Sequence, residues 1–460
     1  MSVTREPDLN AKTRDQQGSL AMLAFVALIV GAASGLLGAV FRLALEQADR
    51  FRGSVLVWAH GKNLVGLLLM IGVSAAATAL AAWLVRRYSP YASGSGIPHV
   101  EAVLNGDLPP APFRLIPVKF AGGLLAIGSG LALGREGPSV QMGASLAHLL
   151  GVVFRRNWPD CRVLLAAGAG AGLATAFNAP IAGAVFVLEE LVRRFDTRIT
   201  ITTLGASAGA IAVARVLLGG APDFRVAPMP YPGFGTVPVY LALGVMAGLL
   251  GVAYNRTLLG TLAALDRLHR WPVELRAALI GAAVGLLAWF APSLVGGGDP
   301  ITQRMLAGTD ALALVAVVFI VRFGLGALSY AAGTPGGLFA PMLVLGSQSG
   351  LLFGTLCSRW FPSVASHPTA FAVVGMAAFF TAVVRAPVTG IVLVTEMTAS
   401  VTLLLPMLAA CFAAMVVPTL LRNAPVYDAL RQRTLPAVAA GNPNWGAFCG
   451  ETHVHTNRGD

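Results

Sequence analysis

Two short segments of the chain combine glycine and proline in a pattern that suits anion binding. The segment GREGP covers residues 134–138, and the segment GLFAP covers residues 337–341. In each segment glycine lets the backbone turn and approach a ligand closely, and the proline is a signal for the start of a helix. The first turn of a helix has free N–H groups and about half a positive charge. Two such turns that face each other predict an anion site, to which Ser95 of the segment GSGIP (94–98) adds a hydroxyl donor.

Glu136 lies inside the first of these anion-binding turns. An ionised carboxylate resembles the ion for which the turn is suited, so it can occupy an anion position and block it. When Glu136 is protonated it loses its charge, swings away and admits the anion. One side chain can therefore couple proton occupancy to anion occupancy. The partial charges of backbone groups also suit transport better than the full charge of a buried lysine, because the anion must bind weakly enough to be released.

The elements that hold these turns are strongly apolar. Of 460 residues, 32 are Lys or Arg and 21 are Asp or Glu, so the charged fraction is 12%, against about 25% in an ordinary soluble domain. The hydrophobic fraction is 56% and the mean hydropathy is +0.73. These values exclude soluble globular and disordered classes. Runs without charge reach the length of about 20 residues that spans a bilayer, and they cover residues 19–41, 63–85, 163–188, 226–255, 277–298, 323–358, 360–384 and 397–421.

Glycine and proline interrupt several of these runs, as in NAP at 178–180 and GTPGG at 333–337. Broken helices at membrane depth are tolerated only where protein or an aqueous cavity satisfies the freed backbone groups. We therefore predict an all-α polytopic membrane protein with helices that begin or end inside the membrane. Arginine pairs lie in short loops, as the positive-inside rule requires. The net charge of +11 consequently indicates topology, and we expect no nucleic-acid partner.

The chain is internally duplicated. When residues 119–151 are overlaid on residues 322–354 at a shift of 203, five of the eight glycines in each window coincide, whereas about two would coincide by chance. Three further blocks agree in the same order at similar shifts. We predict a cytoplasmic N-terminal segment (1–18), a transmembrane domain (19–434) with halves at about 19–220 and 235–434, and a short tail (435–460). In duplicated transporters the substrate site lies where the repeats meet and broken helices point at the ion.

With these motifs the sequence resembles the CLC family of chloride channels and chloride/proton antiporters, from about residue 20 to about residue 434. The resemblance implies an inverted repeat of broken, tilted helices and a homodimer with one anion pathway per subunit. It further implies a multi-pass protein of the cell (inner) membrane, of the prokaryotic type without CBS domains. The motifs that carry it are GSGIP (94–98), GREGP (134–138), GLFAP (337–341), AFNAP (176–180) followed by Glu189 and Glu190, and Tyr427 in APVY.

The resemblance also implies which residues line the chloride path. Ser95 and Tyr427 would lie on its cytoplasmic side, and backbone amides at the two helix starts would supply the remaining donors. The expected chloride-binding residues are Ser95, Arg135, Glu136, Gly137, Leu338, Phe339 and Tyr427.

Two glutamates decide between exchange and passive conduction. By the resemblance, Glu136 is the external gating glutamate, and Glu190 aligns with the internal proton-transfer glutamate of the antiporters. From the residues alone, Glu190 is also explained as part of a charge cluster at a helix end. Both carboxylates together favour chloride/proton exchange, with a passive voltage- or pH-gated chloride channel as the alternative. Glu189 is matched in the second half by Glu396, which suggests a structural or water-organising role.

Other patterns predict neither an enzyme nor a cofactor or metal site. GAGAG at 168–172, with Glu189 21 residues after Gly168, imitates a dinucleotide-binding fingerprint. Leu173 occupies the place of the third glycine, and close packing of membrane helices explains the small residues better. The four cysteines are scattered without a CxxC pair, so they predict no zinc site and no disulfide framework. A solvated tail explains His453 and His455 better than a metal site does.

Overall fold

The computed structural model describes residues 9–362 and 367–441. This part of the chain contains seventeen α-helices and no named strand. His453 and His455 lie outside the described residues. The first eight helices are α1 (Leu9–His60), α2 (Asn63–Tyr88), α3 (Ile97–Asn105), α4 (Leu115–Gly128), α5 (Glu136–Val153), α6 (Trp158–Phe177), α7 (Pro180–Phe186) and α8 (Thr197–Leu218). The others are α9 (Val237–Asp266), α10 (Val273–Phe290), α11 (Asp299–Ala307), α12 (Leu312–Tyr330), α13 (Phe339–Trp360), α14 (Pro368–Val384), α15 (Pro387–Thr398), α16 (Leu404–Leu420) and α17 (Val426–Gly441).

The helices repeat in the order that the sequence duplication predicts. Helices α1 to α8 correspond one by one to α9 to α16, and α17 has no counterpart. Helices α3 and α11 are both nine residues long, and each follows a three-residue 3-10 turn, at Pro90–Ala92 and Pro292–Leu294. Helix α1 already begins at Leu9, inside the segment 1–18 that we predicted to precede the transmembrane domain.

The two halves are inverted relative to each other. Gly134 and Gly337, which are equivalent at the shift of 203, exchange both of their backbone hydrogen bonds, with N···O distances of 2.9 and 2.7 Å. Their segments run antiparallel. Reciprocal bonding between equivalent residues is the arrangement that a local two-fold axis produces, so the predicted inverted repeat is confirmed.

The fold combines helices that can cross a bilayer with helices that are too short to do so. Among the described residues, eight helices are long and apolar enough to cross a bilayer. The apolar window of α6 is 89% buried inside the molecule, whereas that of α2 is 28% buried, so α6 is central and α2 faces outward. Helices α3, α7, α11 and α15 have only 7 to 12 residues. A helix of that length rises too little to cross the bilayer, and the predicted broken helices are therefore present.

Glycine allows the central helices to pack with their backbones in contact. A Cβ at Gly143 of α5 would overlap with the carbonyl of Gly168 on α6, and a Cβ at Gly346 of α13 would meet the carbonyl of Gly375 on α14. Gly172 likewise lies directly against the backbone of Ser139. The small residues at 168–172 therefore serve helix packing, as the sequence predicts.

Candidate anion and proton site

The starts of α5 and α13 are brought together by the reciprocal hydrogen bonds between Gly134 and Gly337. Each glycine lies just before a helix whose first residue is Glu136 or Phe339, respectively. The free N–H groups of both first turns consequently point into one region at the interface of the halves. This is the arrangement of two facing helix N-termini that the two motifs predict.

The side chain of Glu136 crosses from its own helix to the N-terminus of α13. Its Oε1 atom accepts hydrogen bonds from the amides of Phe339 at 2.6 Å and Ala340 at 3.4 Å. Glu136 is fully buried, and its Oε2 atom has no hydrogen-bond partner among the described residues. The carboxylate therefore occupies the position in which an anion would bind at the start of α13.

Glycine on both sides makes room for this carboxylate. A Cβ atom at Gly134 would overlap with both carboxylate oxygens of Glu136, and a Cβ at Gly337 would overlap with Oε1. Any larger residue at either position would exclude the carboxylate from the amides. The two glycines are thus required by the close approach of a ligand group to the backbone.

Two buried hydroxyl groups converge on the same region. Ser95 and Tyr427 are both fully buried, and neither hydroxyl has a hydrogen-bond partner within the described residues. A Cβ at Gly137 would lie 2.6 Å from the Ser95 hydroxyl, and the ring of Tyr427 lies 6.1 Å from that of Phe339. Burial of an unpaired hydroxyl costs free energy. Two unpaired donors therefore lie beside a helix start that has free N–H groups of its own.

The loop that carries Ser95 is held by a buried cation and by the opposite half. Lys119 is fully buried, and its Nζ donates to the carbonyls of Ala92 at 3.0 Å and Gly94 at 2.7 Å. In the second half, the equivalent Arg322 donates to the corresponding carbonyls before α11, which belong to Leu294 and Gly296. Our sequence reasoning missed both cations. The overlay carried the signal, because 119 and 322 are the charged first residues of its two windows.

Tyr330 is a second residue that the sequence reasoning missed. Its hydroxyl accepts a hydrogen bond from the Ser95 amide at 3.3 Å. A Cβ atom at Gly94 would lie only 2.8 Å from the same hydroxyl oxygen. No repeated motif marks this tyrosine, so only the three-dimensional structure reveals that it supports the Ser95 loop.

The side chain of Arg135 points away from the anion site. Its guanidinium donates to Asp299 at 2.9 Å, to Asp223 at 3.3 Å and to the carbonyl of Ala176 at 2.9 Å. Only the backbone of Arg135 borders the helix start. Leu338 precedes α13 in the same way and is fully buried. The structure therefore gathers Ser95, Glu136, Gly137, Phe339 and Tyr427 around one point, with backbone from the residues before each helix.

Glu190 lies in a separate cluster. It belongs to a π-helical turn (Val187–Leu191) that continues α7, and its side chain is 4% exposed. Its Oε1 atom lies 3.8 Å from Nη2 of Arg193 and accepts no hydrogen bond within the described residues. No hydrogen bond or ion pair of the described residues joins it to Glu136. Glu190 is therefore a buried acid off the anion site.

Glu189 and Glu396 cap each other's helices across the repeat. Glu189 accepts hydrogen bonds from the amides of Val388 at 3.0 Å and Thr389 at 2.6 Å, at the start of α15. Glu396 accepts from the amides of Ile181 at 3.1 Å and Ala182 at 2.8 Å, at the start of α7. A carboxylate at a helix N-terminus satisfies free donors and complements the helix dipole. This geometry supports the structural role that the repeat suggested for Glu189.

Comparison with known proteins decides the family. The family model described as "Voltage gated chloride channel" matches residues 77–419. The chain belongs to the CLC family of voltage-gated chloride channels. The matched region contains both facing helix starts, Glu136 and Glu190, whereas Tyr427 on α17 lies beyond it.

Relatives within the CLC family extend the match to most of the chain. A protein of Vibrio cholerae serotype O1 (strain M66-2) named H(+)/Cl(-) exchange transporter ClcA is 38% identical, and the match covers 89% of each chain. A protein of the same name from Cronobacter sakazakii is 39% identical over 421 residues, also 89% of each chain. The crystal structure of a slow cyanobacterial Cl-/H+ antiporter matches with a TM-score of 0.86 at 33% identity, over 90% of this chain and 98% of that one.

The comparisons and the helices together place this CLC protein in a membrane. Eight apolar helices in the described part of the chain are long enough to span it, so the protein is a multi-pass membrane protein. Its family consists of ion-transport proteins. Within the described residues no group of three or more His, Cys, Asp or Glu side chains is arranged to hold a metal ion.

Proposed function

We propose that the protein moves chloride across the membrane in exchange for protons. One observation carries this proposal: the carboxylate of Glu136 occupies the amide site at the start of α13. A protonatable group that sits where an anion would bind makes anion occupancy depend on protonation. A gated channel could use the same group, so exchange also requires the second buried carboxylate, Glu190, as a carrier of the proton.

The physical basis is a competition between two anions for the same amides. Ionised Glu136 is held by charge-assisted hydrogen bonds, which are roughly twice as strong as neutral ones. A proton removes the charge and most of this advantage, so chloride displaces the side chain from the amides of Phe339 and Ala340. Helix partial charges attract the ion without the full charge that would trap it.

Chloride binding follows from the convergence of the surrounding donors. We assign its coordination to the hydroxyls of Ser95 and Tyr427 on the cytoplasmic side and to amides at the two helix starts. These amides belong to the backbone around Leu338 and Phe339 and from Arg135 to Gly137. The unpaired buried hydroxyls support this assignment. Neither a cofactor nor an enzymatic step is part of the proposal.

Glu190 is assigned to proton transfer from the cytoplasmic side. It is buried, its Oε1 atom accepts no hydrogen bond from the described residues, and it lies away from the anion site. A carboxylate in this environment can bind and release a proton without obstructing chloride. The names of the ClcA relatives, which are H(+)/Cl(-) exchange transporters, support exchange over passive conduction.

The proposed assembly is a homodimer in the cell (inner) membrane. Following the resemblance to the CLC family, we assign the subunit interface to α7 and α15. Both helices expose apolar side chains, with Ile181 54% and Val388 49% exposed, which is consistent with burial against a second subunit. Chemical cross-linking of the purified protein in liposomes tests this assembly, and a monomer alone would contradict it.

The alternative is a passive chloride channel of the same fold, which agrees equally well with the family description "Voltage gated chloride channel". The reversal potential of the purified protein in a planar bilayer distinguishes the two. At a fixed chloride gradient, an exchanger shifts its reversal potential when a pH gradient is imposed, because protons are part of the transported charge. An unchanged reversal potential would refute exchange and establish the channel.

A further inference from the structure

Arg193 lies two residues after the end of the π-helical turn that carries Glu190, and its backbone has an unusual conformation. Its φ angle is 54°, in the left-handed region that non-glycine residues rarely adopt. Such a conformation costs free energy and persists only where the surroundings maintain it. Here the guanidinium supplies those interactions. Its Nε donates back to the carbonyl of Glu190 at 3.2 Å, and its Nη2 reaches acids on α3 and α17.

One atom of Arg193 lies close to three carboxylates from three elements. Nη2 is 2.9 Å from Oδ1 of Asp428 on α17, 3.4 Å from Oε1 of Glu101 on α3, and 3.8 Å from Oε1 of Glu190. Three acids around one cation would repel one another without it. Arg193 therefore compensates negative charge that these elements bring together.

Glu190 depends on Arg193 more than the other two acids do. Arg431 lies 3.3 Å from Glu101 and 3.9 Å from Asp428, so both acids have a second cation. Within the described residues, Arg193 is the only cation within 4 Å of the Glu190 carboxylate. Removal of Arg193 would leave an ionised Glu190 buried without a nearby positive charge, whereas Glu101 and Asp428 would keep theirs.

Arg193 also connects the buried acids to solvent. Its side chain is 45% exposed, while those of Glu190 and Glu101 are 4% and 2% exposed. A surface cavity of about 350 Å³ is lined by Glu190, Arg193 and Asp428 together with Glu189 and Arg385. Water in this cavity can accept a proton from Glu190, and Arg193 stands beside the carboxylate that remains.

We infer that Arg193 is a positioning residue for proton exchange at Glu190, which it holds in the ionised form after the proton has left to water in the cavity. This inference rests on the proposed function, because it assigns a task within the same exchange cycle. In the step itself, the O–H bond of the neutral acid breaks, the proton passes to a cavity water, and the electron pair stays on the carboxylate beside the guanidinium. Reprotonation reverses the step.

The charged groups around Glu190 determine the expected pH dependence. They are Glu189 on its own element and Arg193 just after that element, Glu101 on α3 and Asp107 just after α3, Asp428 and Arg431 on α17, and Arg385 across the cavity. An opposite charge near a carboxylate favours the ionised form by about one pH unit or more. Loss of the nearest cation therefore favours the neutral acid, and release of the proton then requires a higher cytoplasmic pH.

The test is Arg193→Gln in the full-length protein reconstituted in liposomes, with chloride and proton fluxes recorded in the same experiment. We expect chloride flux within about two-fold of wild type and a proton-to-chloride flux ratio at least about three-fold lower at neutral pH. The pH at which proton flux is half-maximal should rise by about one unit. Arg193→Lys, which keeps the charge, should restore most of the ratio.

Arg194→Gln is the matched control. Arg194 is the adjacent residue, is exposed, and makes no ion pair or side-chain hydrogen bond within the described residues. Its substitution removes the same charge and should leave both the ratio and the pH profile unchanged.

Three results would overturn the inference. The first is an Arg193→Gln protein with the wild-type ratio and pH profile. The second is an equal loss of both fluxes, which would make Arg193 merely structural. The third is an identical effect of Arg194→Gln, which would indicate general surface charge. If wild type itself shows no proton coupling, the proposed function fails instead, so the two failures are distinguishable.

Discussion

Replacement of Glu136 with glutamine changes one atom at the centre of the anion site. Glutamine has nearly the same shape as glutamate, but it carries no charge and binds no proton near neutral pH. The carboxylate of Glu136 accepts one short hydrogen bond from Phe339 at 2.6 Å and a longer one from Ala340 at 3.4 Å. The variant therefore weakens the hold on these amides without enlarging the site.

The size of the effect follows from the short hydrogen bond. A hydrogen bond to a charged group contributes about 1.5–3 kcal/mol and a neutral one about 0.5–1.5 kcal/mol, so the loss is about 1–1.5 kcal/mol. Because about 1.4 kcal/mol corresponds to a factor of ten, chloride should compete for the amides roughly ten-fold more successfully. The contact at 3.4 Å is too long to add a second full contribution.

Two measurements check this prediction. Isothermal titration with chloride should give a dissociation constant lower by roughly one order of magnitude in Glu136→Gln than in wild type. In liposomes with a chloride gradient, the variant should carry chloride while proton uptake disappears, since no group at the site can carry the proton. Continued proton pumping, or unchanged chloride affinity, would refute the reasoning that Glu136 and chloride compete for one site.

Three further predictions concern the surroundings of this site. Glu190→Gln should stop proton movement and leave chloride flux, as measured by parallel ion electrodes; an equal loss of both would mean that Glu190 is structural. Gly337→Ala should displace the carboxylate of Glu136, because the added Cβ overlaps with it, and should lower the proton-to-chloride flux ratio. The control is Gly324→Ala, where no atom lies within 4 Å of the added Cβ, and it should behave as wild type in the same flux assay. Glu396→Ala removes the two capping hydrogen bonds of α7 and should lower the free energy of unfolding by about 1–2 kcal/mol, seen as a reduced melting temperature in detergent with an unchanged flux ratio; an unaltered melting temperature would contradict the capping role.

The sequence alone was sufficient for features that depend on local chemistry or on composition. Scarcity of charge determined the membrane class, since a bilayer-facing surface cannot accommodate charged residues. Glycine and proline marked the starts of α5 and α13, because a helix start depends only on the few residues of its first turn. The duplication was visible as recurring glycines, and it predicted correctly that the two starts meet at the interface of the halves.

Only the tertiary structure decided which side chain meets which backbone across that interface. The oxygen of Glu136 binds the amide of Phe339, 203 residues away. Arg135, the neighbour of Glu136, turns instead to Asp223 and Asp299, although both stand in the same motif. Such pairings depend on how packed helices are rotated and separated. The spacing of residues within one segment does not determine either quantity. Arg193 is the clearest case: beside Glu190 it looks like an ordinary helix-end charge, and only the packing of α3 and α17 makes it the cation shared by three acids.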